Sequence, residues 1–127
     1  MLAATSCLRE NLKYENRKRF IQRSLEIAEG RKLIFKLHPN EDLKRARKEI
    51  AKQAPDAIVY ADGNTNHMIA NSDVLITKYS SVVLLAAAMG KEIHSDLDPE
   101  WLEEVKPIQN GGTSAQRIAG ICKEYLN

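Results

Sequence analysis

Residues 71–94 read NSDVLITKYSSVVLLAAAMGKEIH, and three signals in that stretch point to one architecture. Asp73 to Thr77 has an apolar centre between polar ends, the pattern of a strand buried on both faces of a parallel sheet. Val82 to Met89 is apolar throughout, too short for the roughly 20 residues that cross a bilayer, and is stopped by Gly90-Lys91. It therefore predicts a fully buried helix. Glu92 to His94 supplies a further strand, so the stretch as a whole is one strand–helix–strand unit.

The same alternation continues on either side. Upstream, Asn66 to Ala70 predicts a short helix after the turn Asp62-Gly63-Asn64, and Ala57 to Tyr60 a strand. Asp42 opens a helix in which Leu43, Ala46, Ile50 and Ala54 recur at three- and four-residue spacing until Pro55. Leu33 to His38 is a strand stopped by Pro39, which cannot donate a ladder hydrogen bond. Glu15 to Glu29 carries Phe20, Ile21, Leu25 and Ala28 on one helical face and ends at Gly30, and Leu2 to Thr5 is the first strand. Downstream, Pro99 to Glu104 and Ser114 to Leu126 predict helices, the second announced by Gly111-Gly112-Thr113-Ser114. The expected fold is α/β: a Rossmann-like three-layer domain with a five-stranded parallel sheet in the order 3-2-1-4-5, joined by right-handed crossovers.

The 127 residues suit one domain, residues 1–127, large enough to bury a core without disulfides or a structural metal. Cys7 and Cys122 fit no metal-ligand or redox spacing and read as reduced structural thiols. The balance of 19 basic against 17 acidic side chains leaves +2, which points to neither nucleic acid nor an anionic membrane surface. Basic residues gather at Arg17, Lys18 and Arg19 and at Lys44, Arg45, Arg47 and Lys48, both in helical segments, where charge runs form solvated faces. The start of the chain has no charged region ahead of its short apolar run, so the expected location is cytoplasmic.

A doubly wound sheet takes its ligand beyond the carboxyl ends of its strands. Three segments lie there: Thr5-Ser6-Cys7-Leu8-Arg9-Glu10, His38-Pro39-Asn40-Glu41 and Lys78-Tyr79-Ser80-Ser81. Ser80 and Ser81 stand where a hydroxyl either caps the following helix or joins its free N–H groups around a phosphate. His38, set by the proline after it, is a hydrogen-bond donor whose charged form a phosphate favours, or else a structural histidine with a backbone partner. No metal-site spacing, catalytic triad, P-loop or dinucleotide fingerprint is present.

KLHP at 36–39, followed by NSDVLITKYSSVVLLAAAMGK at 71–91, resembles the C-terminal domain of GT-B fold transferases. It is most similar to CDP-glycerol glycerophosphotransferases and capsular polysaccharide transferases, and more distantly to UDP-N-acetylglucosamine 2-epimerases. The resemblance implies that His38, Ser80 and Ser81 contact the phosphates of a nucleotide-activated donor, CDP-, CMP- or UDP-linked, with no metal and no separate cofactor. It also makes Ser6, Arg9, Glu10 and Lys78 donor-site candidates. The family's acidic residue shortly after the second serine, which holds the ribose hydroxyls, is replaced by Leu84 and Leu85, three and four positions after Ser81. An acceptor-binding N-terminal domain or partner chain would supply the catalytic base, which no residue here is expected to provide.

The expected role is thus the donor-binding half of a bacterial glycosyltransferase or glycerophosphotransferase. Such an enzyme would transfer a sugar or polyol in cell-surface polysaccharide synthesis, in the cytoplasm or peripheral to the inner membrane as part of a larger enzyme. The alternatives are a stand-alone nucleotide- or phosphate-binding module and half of a 2-epimerase-like enzyme.

Overall fold

A computed structural model describes residues 1–5, 16–109 and 114–126. In chain order its elements are β1 (Leu2–Ala4), α1 (Arg17–Ala28), β2 (Ile34–Lys36), α2 (Leu43–Gln53), β3 (Ile58–Tyr60), α3 (Thr65–Ala70), β4 (Val74–Ile76), α4 (Val82–Ala88), β5 (Glu92–His94), α5 (Pro99–Gln109) and α6 (Ser114–Leu126). The five strands form one parallel sheet in the order β3-β2-β1-β4-β5, as the alternation of elements predicts.

Side chains alternate across each short strand and so build two cores. Ala3, Phe35, Val74 and Ile76 face α1 and α2, meeting Phe20, Ile21, Ala28, Ala46 and Ile50. Leu2, Ala4 and Leu75 face the other way, onto Ile69 of α3, Val83 and Ala86 of α4 and Leu102 of α5. From β1 to β3 the chain moves one way along the sheet with helices on one face. From β3 to β5 it moves back with helices on the other, as crossovers of a single hand require. The direction reverses between β1 and β4, and it is at the carboxyl edge of such a switch point that doubly wound sheets take their ligands.

Local signals set the helix starts. The side chains of Asn16, Asp42 and Asn64 accept from backbone N–H groups of the first turns of α1, α2 and α3. Asp42 Oδ1 takes the Arg45 N–H at 3.0 Å. Asp42→Ala is expected to lower unfolding free energy by about 1 kcal/mol in urea denaturation, the usual loss for an N-cap. An unchanged midpoint would show that this cap carries no stability. At the other end of α1, Glu29 and Gly30 both take left-handed backbone, φ 47° and 80°, so glycine is suited to the second of these sites.

Three expectations need correction. Helix α4 is not fully buried: Val83, Ala86 and Ala87 are, but Met89 just beyond it is 42% exposed, because only one face meets the sheet and α5. Helix α5 extends to Gln109 rather than Glu104, held against α4 by Leu102. Cys122 is an exposed free thiol on α6, not a core residue, while Cys7 lies outside the described residues.

Candidate functional site

The turn after β2 is built around His38. Leu37 N–H still donates to Tyr60 O at 2.8 Å, and Glu41 N–H then closes the turn onto His38 O at 3.1 Å. The His38 N–H points at two acceptors, Thr5 Oγ1 and Glu41 Oε1, each at 3.1 Å. The Thr5 hydroxyl donates in turn to Glu41 Oε1 in a short hydrogen bond. The imidazole is half-buried, and its Nδ1 accepts the Asn40 N–H at 3.2 Å. That bond assigns the neutral ring's proton to Nε2, leaving Nε2–H as the donor.

Behind the turn lies a charge network. The Glu41 side chain is only 2% exposed, and its Oε2 lies 2.6 Å from Arg17 Nη2. By distance this is an ion pair, but it is poorly aligned as a hydrogen bond, and among the described residues Glu41 Oε2 and Arg17 Nη1 are both left without one. Arg17 Nε also meets Glu49 Oε2 at 2.9 Å, and Glu49 Oε1 takes Arg45 Nε at 2.8 Å. The hydrogen bond and charge of Glu49 hold the Arg45 guanidinium above its ordinary value. Lys18, Arg19, Lys44, Arg45, Arg47 and Lys48 are not buried, but Arg17 is 14% exposed and pinned, so the reading of a solvated face fails at that residue.

Lys36 was legible only as part of the HP string. It is buried, and its ammonium donates to Leu37 O at 3.0 Å and Ala61 O at 2.7 Å, tying the end of β2 to the loop after β3.

The loop after β4 is tied to β5, since Thr77 N–H donates to His94 O and Asp96 N–H to Lys78 O. Thr77 Oγ1 is buried with no hydrogen-bond partner among the described residues. Lys78 is half-buried, its Nζ 6.0 Å from the centroid of the Tyr79 ring. Ser81 sits at the N-cap of α4 with helical backbone and makes no side-chain cap bond. Among the described residues, the Ser80 hydroxyl receives only a long contact from Val82 N–H, at 3.5 Å. Capping of α4 therefore does not occupy the Ser81 hydroxyl and engages that of Ser80 only weakly. Leu84 and Leu85 pack against the α3–α5 core, and neither position offers an acid.

His38 and Ser80–Ser81 thus lie in loops at the same carboxyl edge, on either side of β1. Ser6, Arg9 and Glu10 fall outside the described residues. Two grooves elsewhere, one along Ile34, Tyr60 and Met68 and the other along Gly90, Ile93 and Leu97, do not include His38, Ser80 or Ser81.

A family model described as CDP-glycerol:poly(glycerophosphate) glycerophosphotransferase matches residues 9–84, more than half of the chain. The chain belongs to this glycerophosphotransferase family. The match runs through the HP turn and the YSS loop and stops inside α4, so the matched range includes His38, Ser80 and Ser81. No curated protein and no solved structure matches the chain. Among the described residues of this glycerophosphotransferase-family chain, no helix is long and apolar enough to cross a membrane.

Proposed function

We propose that this chain binds the nucleotide-linked donor of a glycerophosphotransfer reaction, with a CDP-linked polyol as the donor class. In this reading it forms the donor-binding half of a GT-B transferase of cell-surface polymer synthesis. The observation that carries the reading is the placement, on both sides of β1, of donors with no acceptor among the described residues: His38 Nε2–H after β2, and the Ser80 and Ser81 hydroxyls after β4. Adjacent strands lie about 4.8 Å apart, so roughly 10 Å separates the ends of β2 and β4. That gap suits a pyrophosphate bridging the two loops better than a single phosphate held by both.

In the reaction, an acceptor hydroxyl forms a bond to the phosphorus that carries the polyol, and the bond from that phosphorus to the bridging oxygen breaks, releasing the nucleoside monophosphate. Hydrogen-bond donors at the pyrophosphate stabilise the charge that builds on the departing oxygens. The acceptor's proton goes to a base supplied by an acceptor-binding half.

A second reading, a nucleotide-binding module without transferase activity, is favoured by Leu84 and Leu85 standing where related chains carry an acid. Calorimetric titration with CMP, CDP, UMP, UDP and CDP-glycerol tests both. CDP is expected to bind more tightly than CMP, because the second phosphate reaches the second loop. Ser81→Ala should weaken CDP binding about fivefold, roughly one hydrogen bond, without moving Tm, since this hydroxyl does no capping. Absence of CDP binding would sink the proposal, and tight binding of CDP with none gained from the glycerol would favour the module.

A further inference from the structure

We infer that Thr5 and Glu41 are a positioning pair for His38, setting the direction in which its Nε2–H donates. The inference deepens the donor-site reading and rests on it.

Thr5 leaves the sheet at the end of β1 and Glu41 closes the turn after β2, so the pair joins two strand ends at the carboxyl edge of the sheet. Their shared target is the His38 N–H, which Thr5 Oγ1 and Glu41 Oε1 accept together. Thr5 is anchored besides through its own N–H, which donates to Lys36 O at 3.1 Å, and its hydroxyl lies 3.3 Å from the same oxygen. With Pro39 restricting the backbone on one side and Asn40 N–H gripping Nδ1 on the other, His38 is held at its backbone nitrogen and at its ring.

A carboxylate buried to this degree is costly to desolvate and needs several donors to offset the loss of water. Here Oε1 takes two donors, the Thr5 hydroxyl at the end of β1 and the His38 N–H in the turn after β2, and Arg17 at the start of α1 adds an opposite charge beside Oε2. A hydrophobic side chain would close an ordinary turn without burying a charge. A buried charge with directional partners is instead what fixes the angle of a neighbouring donor to within the tolerance a bound group requires. Neither Thr5 nor Glu41 need touch the nucleotide.

The test uses the full chain with CDP as the probe, in Thr5→Val, Thr5→Ser, Glu41→Ala, His38→Ala and the double variant Thr5→Val/His38→Ala. Thr5→Val keeps the shape and loses the hydroxyl, and should weaken CDP binding about tenfold with little change in Tm. Thr5→Ser restores the hydroxyl and should bind CDP within about twofold of the parent. Glu41→Ala should bind at least as weakly as Thr5→Val. If it fails to fold because Arg17 keeps only Glu49 as a partner, the threonine pair carries the test alone. Because Thr5 acts through His38, the double variant should bind no more weakly than His38→Ala by itself. The ring nitrogen resonances of His38 in the free protein should move in Thr5→Val and return in Thr5→Ser. Additive losses in the double variant, or unmoved ring resonances in Thr5→Val, would overturn the inference even if His38→Ala abolishes binding. If CDP does not bind the parent chain, the donor-site reading falls and the ring resonances alone decide: displaced, the pair positions His38; unmoved, it does not.

Discussion

Phe35→Ala is expected to cost about 3–5 kcal/mol of unfolding free energy, the largest stability effect of any single truncation proposed for this chain. Phe35 is the middle residue of β2 and fully buried, and its ring meets Phe20 of α1 edge-on at 6.3 Å and 66°. Removing it opens a cavity between the sheet and both helices of that face, where Ile21, Ala46 and Ile50 are themselves held in place. Small domains have only about 5–15 kcal/mol in total, so the variant should melt far below the parent or fail to fold at ordinary temperature. Phe35→Leu, nearer in volume, should cost under about 1.5 kcal/mol. Urea denaturation of the pair measures the difference. A loss under about 1 kcal/mol for alanine would mean that Phe35 is not packed between β2 and α1 as described.

The second large effect is on binding. His38→Ala is expected to weaken CDP binding by about 1.5–3 kcal/mol, roughly ten- to a hundredfold, the loss of one hydrogen bond to a charged group. The fold should survive, because among the described residues the half-buried ring bonds only to the Asn40 N–H and is in neither core cluster. The assignment of the free donor to Nε2 sharpens the test. The amide nitrogen of glutamine reaches the region of Nε2, and that of asparagine only the region of Nδ1, which already faces Asn40. His38→Gln should therefore retain most of the affinity and His38→Asn should bind like alanine. Equal affinity in His38→Asn and the parent would show that the imidazole does not donate to the nucleotide from Nε2.

Much of the architecture is written locally in the chain. The apolar run of β4, the three- and four-residue spacing of Ala46, Ile50 and Ala54, and the stops at Pro39, Gly30 and Gly90 each act over a few residues, so strands and helices are legible within a residue or two of their ends, except that α5 runs on to Gln109. Asp42 was readable as a helix start because a cap needs only its own first turn. The site candidates His38, Ser80 and Ser81 were legible for the same reason, since residues directly after strands of a parallel sheet face its carboxyl edge. The extent to which α4 is buried was not, because its apolar sequence is the same whether one face or all of it is covered. Nor were the groups that hold His38. Thr5 and Glu41 are 36 residues apart, Lys36 and Ala61 are 25 apart, and Arg17 meets Glu41 from a different helix. No periodicity relates such positions. Their contacts exist only because parallel strands bring distant chain segments level at one edge of the sheet, and burial there favours pairing a charge or hydroxyl with whichever segment the topology has placed beside it.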